Sequence, residues 1–386
     1  MKHNNLQSGY SLIELMVGIT VGMFILLGVV TIYAQTTSVS GTQKQISRVQ
    51  QKGRLAGELI ARDFMLSGSA PCPVKGMKVI NTVQVNGVAM PLSLMLGLQG
   101  YAANDTGHPS VKYADSTDAV VISYSPPSDT ADVVIEAHDP QSMTMTLSDN
   151  FNWVENGSPI TTIAPDCSYM ATFVKDAASK DKSLGHSQSV PTDSEFSNCH
   201  TDISGDGNIF GNTSSNGEAL RSDCLDAAAA ATSNVGSVGT SNNQVNLVSP
   251  YIGGSVINFD IVEYYIDESV HFAGVPSLYR RVNGTAQELV VGVEDIQINY
   301  GWRDGSGGFQ FGDAASVTDW PSIYAVQIDL LLRDITGDTS IDDYELSFGG
   351  QDTTYTDGVL RRVFSSQVYI RNSVNSGNNS FFNGQG

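Results

Sequence analysis

The chain has 386 residues, 41% of them hydrophobic, with 20 Lys and Arg against 40 Asp and Glu. Residues 1–70 hold 6 basic and 3 acidic side chains, which leaves 14 basic and 37 acidic residues and a net charge of −23 on the remainder. Such a surface stays soluble and repels polyanions, so nucleic acid is excluded as a partner.

Residues 10–34 form an almost wholly apolar run with 13 Leu, Ile, Val and Phe. The run is long enough to span a bilayer and longer than the apolar core of an ordinary secretory signal. No Ala-x-Ala cleavage site follows it; the chain continues Tyr33-Ala34-Gln35-Thr36. The apolar residues contribute roughly −4 to −8 kcal/mol to insertion. The one acid, Glu14, costs about +2.5 to +3.5 kcal/mol at the bilayer centre and less near an edge. Insertion wins, and a carboxylate kept at that cost needs a partner. The polar leader, residues 1–9, carries Lys2 and the terminal amine. That weakly positive end favours a cytoplasmic N-terminus, with everything after residue 35 on the far side of the membrane.

Ser8-Gly9 followed by Tyr10-Ser11-Leu12-Ile13-Glu14-Leu15 resembles the class III signal of type IV prepilins and pseudopilins. The resemblance implies cleavage after Gly9 by a prepilin peptidase on the cytoplasmic face, with N-methylation of Tyr10. Tyr10 stands where such proteins usually carry Phe. Cleavage there retains the apolar helix. It puts Glu14 in the first turns of the mature helix, where a negative charge complements the helix dipole. In the family that acid pairs with the N-terminal amine of a neighbouring subunit, so Glu14 is expected to set the docking register. A buried pair of this kind is tolerable only while both members are satisfied.

Helical patterning continues beyond the membrane. Ile46, Val49, Gly53, Ala56, Ile60 and Phe64 recur at spacings of three and four and form one stripe. No proline precedes Pro71, and Gly68-Ser69-Ala70-Pro71 is the expected stop. One helix over about 10–67 is predicted, roughly 85 Å long. Its half at 10–34 belongs to the bilayer or filament core, and its amphipathic half at 35–70 packs a globular domain. Gly18, Gly22 and Gly28 permit close approach of neighbouring helices. Lys44, Arg48, Lys52, Arg54 and Arg62 read either as a counterpart to acidic subunit surfaces or as a solvated face.

After residue 72 the pattern turns to β. Short apolar or alternating runs at 118–124, 132–137 and 143–147 are read as strands, with others opening at Ile257 and alternating over 296–300, 326–332 and 363–371. The domain at 71–371 is therefore expected to be antiparallel β structure in one or two sheets packed on the helix. A polar tail follows at 372–386. The Ser, Thr, Asn, Gly and Asp-rich segment at about 175–245 reads as a large loop insertion. Four cysteines, Cys72, Cys167, Cys199 and Cys224, lie on the exported side and allow three connectivities. Proximity and domain logic favour Cys72–Cys167 and Cys199–Cys224. Zinc at Cys199, His200 and His186 is the alternative, but no Cys-x-x-Cys pair supports it. Asp202, Asp206 and Asn208, or Asp334, Asp338 and Asp342, carry the right oxygens for calcium without the EF-hand spacing, and solvated turns are preferred. No metal site and no cofactor is expected. No Gly-x-Ser-x-Gly, His-Glu-x-x-His or phosphate loop occurs, so no catalytic residue is assigned and the chain is not expected to be an enzyme.

Two further regions narrow the family. GRLA at 53–56 with LIARDF at 59–64 resembles the helix exit of PilW-type minor pilins. So do GVEDIQINYG at 292–301, IYAVQIDLLLR at 323–333, RRVF at 361–364 and Arg371-Asn372. The resemblance implies a type IV pilin-like α+β fold and a minor pilin at or near the pilus tip that helps prime assembly. Its implied partners are other minor pilins, the major pilin, the prepilin peptidase, the inner membrane and the inner-membrane assembly platform. Tip-most subunits in such systems can lack the acid; this chain keeps Glu14 and should dock on another subunit. A J-type pseudopilin of type II secretion is the related alternative. An adhesive or ligand-binding role for 175–245 is the alternative of another class.

Overall fold

The computed structural model describes residues 11–70, 72, 78–86, 88–90, 94, 97–103, 105, 117–126, 133–139, 143–198, 220–222, 251–303, 308–336 and 341–372. The leader, Gly9, Tyr10, Cys199, Cys224, His200, the three residues at 202, 206 and 208, Asp338 and the tail beyond 372 lie outside the described residues.

Leu12–Leu66 is one helix of 55 residues, about 80 Å long at 1.5 Å per residue. It stops where Gly68 takes φ +68°, a left-handed conformation that a side chain disfavours, and the Gly68 amide donates to Ser123 O at 2.9 Å. The large apolar side chains from Leu12 to Tyr33 stand between 52% and 76% exposed. This is the described helix long and apolar enough to cross a membrane. The second half behaves differently. Val49, Ala56, Ile60 and Phe64 are buried, with Ile46 packed beside them, so the apolar stripe is the face the helix gives to the domain.

Two antiparallel sheets receive that face. One has five strands in the order Thr285–Val291, Pro276–Val282, Asp260–Glu268, Ala119–Tyr124, Leu98–Tyr101. The other has four, in the order Phe309–Gly312, Val293–Arg303, Ala325–Arg333, Arg361–Tyr369. Val326, Ile328, Leu330 and Leu332 alternate inward towards the helix, as do Ile296, Ile298 and Tyr300 on the neighbouring strand. A two-stranded hairpin, Tyr344–Phe348 with Gln351–Tyr355, lies on the outer face of the four-stranded sheet, where a Cβ on Gly349 would overlap the Gln297 side chain.

The middle of the chain departs from the expectation of one or two antiparallel sheets. It forms a further three-stranded sheet and an eight-stranded sheet in which Lys78–Asn81 runs parallel to Tyr169–Val174. The expected Cys72–Cys167 disulfide, with Cα atoms 5.8 Å apart, lies ahead of both strands in the chain.

Part of the segment that composition assigned to an insertion, about 175–245, is folded. Residues 175–198 are folded into the domain, with strands Ser183–Gly185 and Phe196–Asn198 and buried Lys175, Asp176, His186 and Asn198. Leu184 and Phe196 join the core, and polar side chains hold the rest of this segment by bonding the backbone. Lys175 Nζ donates to Phe151 O and Val154 O at 2.8 and 2.7 Å. Asn198 Oδ1 accepts from Val174 N while its Nδ2 donates to Val174 O, both at 2.7 Å. A compositional reading counts such residues as loop formers because it cannot see their partners. Residues 199–219 and 223–250 lie outside the described residues.

Candidate functional site: the long helix and its seat

At the N-terminal end, Ser11 takes an extended conformation and its carbonyl accepts from Glu14 N and Leu15 N at 3.0 and 3.2 Å. Glu14 therefore occupies the first turn, exposed, among donors left unpaired at a helix start. A Cβ added to Gly18, Gly22 or Gly28 would meet nothing within 4 Å. Among the described residues, none packs against the large apolar side chains of this half of the helix.

The second half is fixed by three polar locks spaced along it. Arg48 donates to Thr336 Oγ1 at 2.8 Å and pairs with Asp334 at 3.4 Å. Lys52 Nζ donates to Val291 O at 2.8 Å, and burial lowers its pKa, against the Asp334 charge. Asp63, buried on the helix, accepts from Tyr264 Oη at 2.7 Å, Tyr124 Oη at 3.1 Å and Arg280 Nε at 2.7 Å. Burial raises both tyrosine pKa values, and the Asp63 charge raises them further, so both phenols remain donors. Arg280 is raised despite burial, because the Asp63 hydrogen bond and charge hold its proton.

The stretches that carried the family resemblance meet in space. Gly53 packs directly under Phe364, whose ring a Cβ at 53 would overlap. Arg361 makes two bonds to Glu294, at 2.6 and 3.0 Å, and one from Nη2 to Asp357 at 2.7 Å. Its guanidinium lies 4.2 Å from the Tyr355 ring centroid, and Arg333 reaches Glu294 at 3.4 Å. The two ends of the chain thus build one seat for the helix.

The other candidate residues are placed as follows. Arg48 and Lys52 serve the domain, whereas Lys44, Arg54 and Arg62 are exposed, Arg54 beside Glu58 at 3.7 Å. Asp334 is engaged by Arg48 and by the Thr336 hydroxyl, and Asp342 is exposed. His186 is buried with its Nε2 3.1 Å from His138 Nε2. Among the described residues no group of three His, Cys, Asp or Glu is placed to hold a metal. Sequence reasoning missed the Asp63 lock, although a carboxylate three residues after Ile60 on the apolar stripe was its signal.

Residues 4–30 match the prokaryotic N-terminal methylation motif, and residues 263–372 match the family model of type IV pilus-assembly protein W, PilW. The two matches, one at each end of the chain, are consistent with a PilW-type class III pilin. No curated protein matches, and no solved structure matches. The PilW match begins inside strand Asp260–Glu268 and ends just past Arg361–Tyr369, so it covers the four-stranded sheet but leaves out Leu98–Tyr101 and Ala119–Tyr124 of the five-stranded one. A PilW-type pilin is a structural subunit rather than an enzyme, and the two matches support a minor-pilin role in a type IV pilus. They imply contact with other pilins and with a prepilin peptidase, and the apolar helix suggests membrane anchoring.

Proposed function

We propose that the chain is cleaved after Gly9, anchors in the inner membrane with a cytoplasmic N-terminus and an exported domain, and then enters the pilus at or near its tip, where it helps to prime assembly with other minor pilins. The observation that supports this reading is the division of the helix. Among the described residues the buried positions of the helix run from Gln45 to Ser67, while the large apolar side chains of the other half, with an acid in its first turn, are exposed. In the membrane that half is solvated by lipid; in a bundle of pilins it is solvated by other helices. Glu14 then finds the amine of a neighbouring subunit, and the exported domain needs no rearrangement between the two states.

A clean deletion tests this, scored for surface pili, for pili in a strain unable to retract, and for secretion of a type II substrate. Lost pili with normal secretion, partly recovered without retraction, is the expected result. Lost secretion with normal pili makes the chain a pseudopilin. Glu14→Ala should leave the membrane-bound protein abundant and the Cys72–Cys167 bridge intact while abolishing its recovery in sheared pili. Equal recovery of the variant would remove Glu14 from assembly.

A further inference from the structure

Two histidines distant in the chain meet at the edge of the eight-stranded sheet. His138 lies on strand Val133–Asp139, and His186 follows the edge strand Ser183–Gly185, with strand Thr144–Leu147 between them. Met145 on that middle strand faces His138 on one side and Leu184 on the other. The two Nε2 atoms are 3.1 Å apart and the ring centroids 5.3 Å apart. The difference, 2.2 Å, is about twice the centre-to-nitrogen radius of an imidazole, so the rings point at each other almost head-on. A shared metal ion would need both nitrogens aimed at a third point off the line between them, about 2.0–2.1 Å from each. The head-on arrangement instead fits one hydrogen held between a donor nitrogen and a lone pair.

The surroundings make this contact a fastening. His186 is 2% exposed, whereas His138 is half-buried. Phe173 and Tyr251 line the pair, with ring centroids 5.6 Å from His186 and 6.4 Å from His138. His186 N donates to Met143 O at 3.0 Å, and Leu184 on the edge strand is fully buried. The next residue, Ser187, accepts at its carbonyl from Asn198 Nδ2 at 2.9 Å. The pair thus pins both the edge strand and the segment that runs on to Asn198.

The charges on the packed elements set how many protons the pair can hold. Asp176 is the carboxylate beside His186: it accepts from Ser187 N and Oγ at 3.3 and 2.7 Å, and a Cβ on Gly185 would overlap it. Lys175 directs its Nζ to Phe151 O and Val154 O. Glu136 and Asp139, on the strand of His138, are exposed, and Thr144–Leu147 carries no charge. Lys180, Asp181 and Lys182, ahead of the edge strand, are exposed as well. One added proton is tolerated, because an imidazolium donating to a neutral imidazole makes a charge-assisted bond, and Asp176 favours it. A second proton removes the accepting lone pair and sets like charges 3.1 Å apart among aromatic rings. His138, at the half-buried position, then turns to water, and His186 gains water only if its strand opens.

We propose that His138 and His186 form an acid-sensitive latch on the edge of the eight-stranded sheet, closed while one hydrogen is shared and open once both rings are charged, with Ser183–Gly185 and the chain leading to Asn198 released together. On the proposed localisation this edge is exported, so acid in the surroundings reaches it directly. The open form binds one proton more than the closed form. Its population relative to the closed form should therefore rise by up to about ten-fold per pH unit below about pH 6.5.

The test is hydrogen exchange of the full chain in detergent, read by mass spectrometry on the peptide 183–187 from pH 7 to pH 5, each rate divided by the intrinsic rate at that pH. The opening constant should rise at least ten-fold between pH 6.5 and pH 5, a window in which Asp176 is expected to stay ionised, while the peptide 326–332 stays unchanged. His138→Gln leaves His186 a hydrogen-bond partner but removes one titrating ring, so closed and open forms then bind the same number of protons and the opening should no longer depend on pH. Should that variant lose the Cys72–Cys167 bridge, His186→Gln carries the same expectation. An opening constant flat with pH in the parent, an equal rise in the peptide 326–332, or a pH dependence that persists in the variant overturns the proposal.

Discussion

Replacing Arg280 by Met isolates the contribution of the buried lock. In the parent the Asp63 side chain is 2% exposed and its carboxylate is satisfied by one cation and two phenols. Without Arg280 the same carboxylate stays buried with only neutral donors. Removing one member of a buried pair costs about 3–5 kcal/mol because the survivor is uncompensated. The Arg280 side chain is 21% exposed, so water reaches the vacated place and the lower part of that range applies. At roughly 2 °C per kcal/mol for a large domain, the melting temperature should fall by roughly 6–8 °C.

The assay is thermal melting of the full chain in detergent followed by near-ultraviolet circular dichroism, under non-reducing conditions. That signal comes from packed aromatics of the domain, so the membrane half of the helix does not dilute it. The companion variant Asp63→Asn with Arg280→Met removes both charges but keeps an acceptor for Tyr124 and Tyr264. It should recover at least half of the loss, since deleting a whole buried pair is often close to neutral. A single variant that melts within about 1 °C of the parent, or a double variant no better than the single, would refute the reasoning. The Asp63–Arg280 pair would then be a contact without energetic weight.

Other consequences are equally measurable. Gly53→Leu should displace the Phe364 ring and cost about 1–3 kcal/mol by overpacking, visible as a lowered denaturation midpoint that Phe364→Ala partly restores. Cys72→Ser opens a bridge of sequence separation 95 and should cost about 4–5 kcal/mol on the chain-entropy account; peptide mapping of the parent should recover residues 72 and 167 in one disulfide-linked fragment. Burial pushes the Asp295 carboxyl up to about 7. Its folded value lies above its unfolded one, so folding binds the proton and this group's penalty grows from about pH 4 to about pH 7. Asp295→Asn should therefore match the parent below pH 4 and exceed it by roughly 1–2 kcal/mol at pH 8, after allowance for solvent screening; an equal difference at both pH values would refute the assignment.

The long helix was legible because its signals are local. An unbroken apolar run, a stripe at spacings of three and four, and a Gly-Ser-Ala-Pro stop are all read within one segment. The strand at 118–124 was legible as a short apolar run, and those at 296–300 and 326–332 because alternation reports a half-buried face. The parallel pairing of Lys78–Asn81 with Tyr169–Val174 was not legible even though the Cys72–Cys167 bridge was expected, because strand partners about 90 residues apart leave no local signal. Residues 175–198 were misjudged because Lys175, Asp176 and Asn198 are buried by bonding carbonyls and amides that no composition count reveals. Asp63 was legible as an anomaly on the buried stripe, but its partners lie 61, 201 and 217 residues away.

The arrangement of costs along the helix separates what serves the fold from what serves assembly. From residue 45 onward, features unfavourable for a free helix have partners inside the domain: Gly53 has Phe364 and Asp63 has Arg280. Before residue 41 the same kinds of cost recur without such partners. Gly18, Gly22 and Gly28 each lose about 1 kcal/mol of helix propensity relative to Ala, yet nothing lies within 4 Å of the space they leave open. Glu14 adds a charge to the apolar segment. A chain optimised only to be anchored would replace all four with Leu or Ala. On the proposed function, close packing against other helices would account for the glycines and a neighbour's amine for the acid. If that account is right, Gly22→Leu will leave the domain's melting temperature unchanged and lower recovery of the protein in sheared pili. Wild-type recovery would assign the glycines to the lipid phase instead.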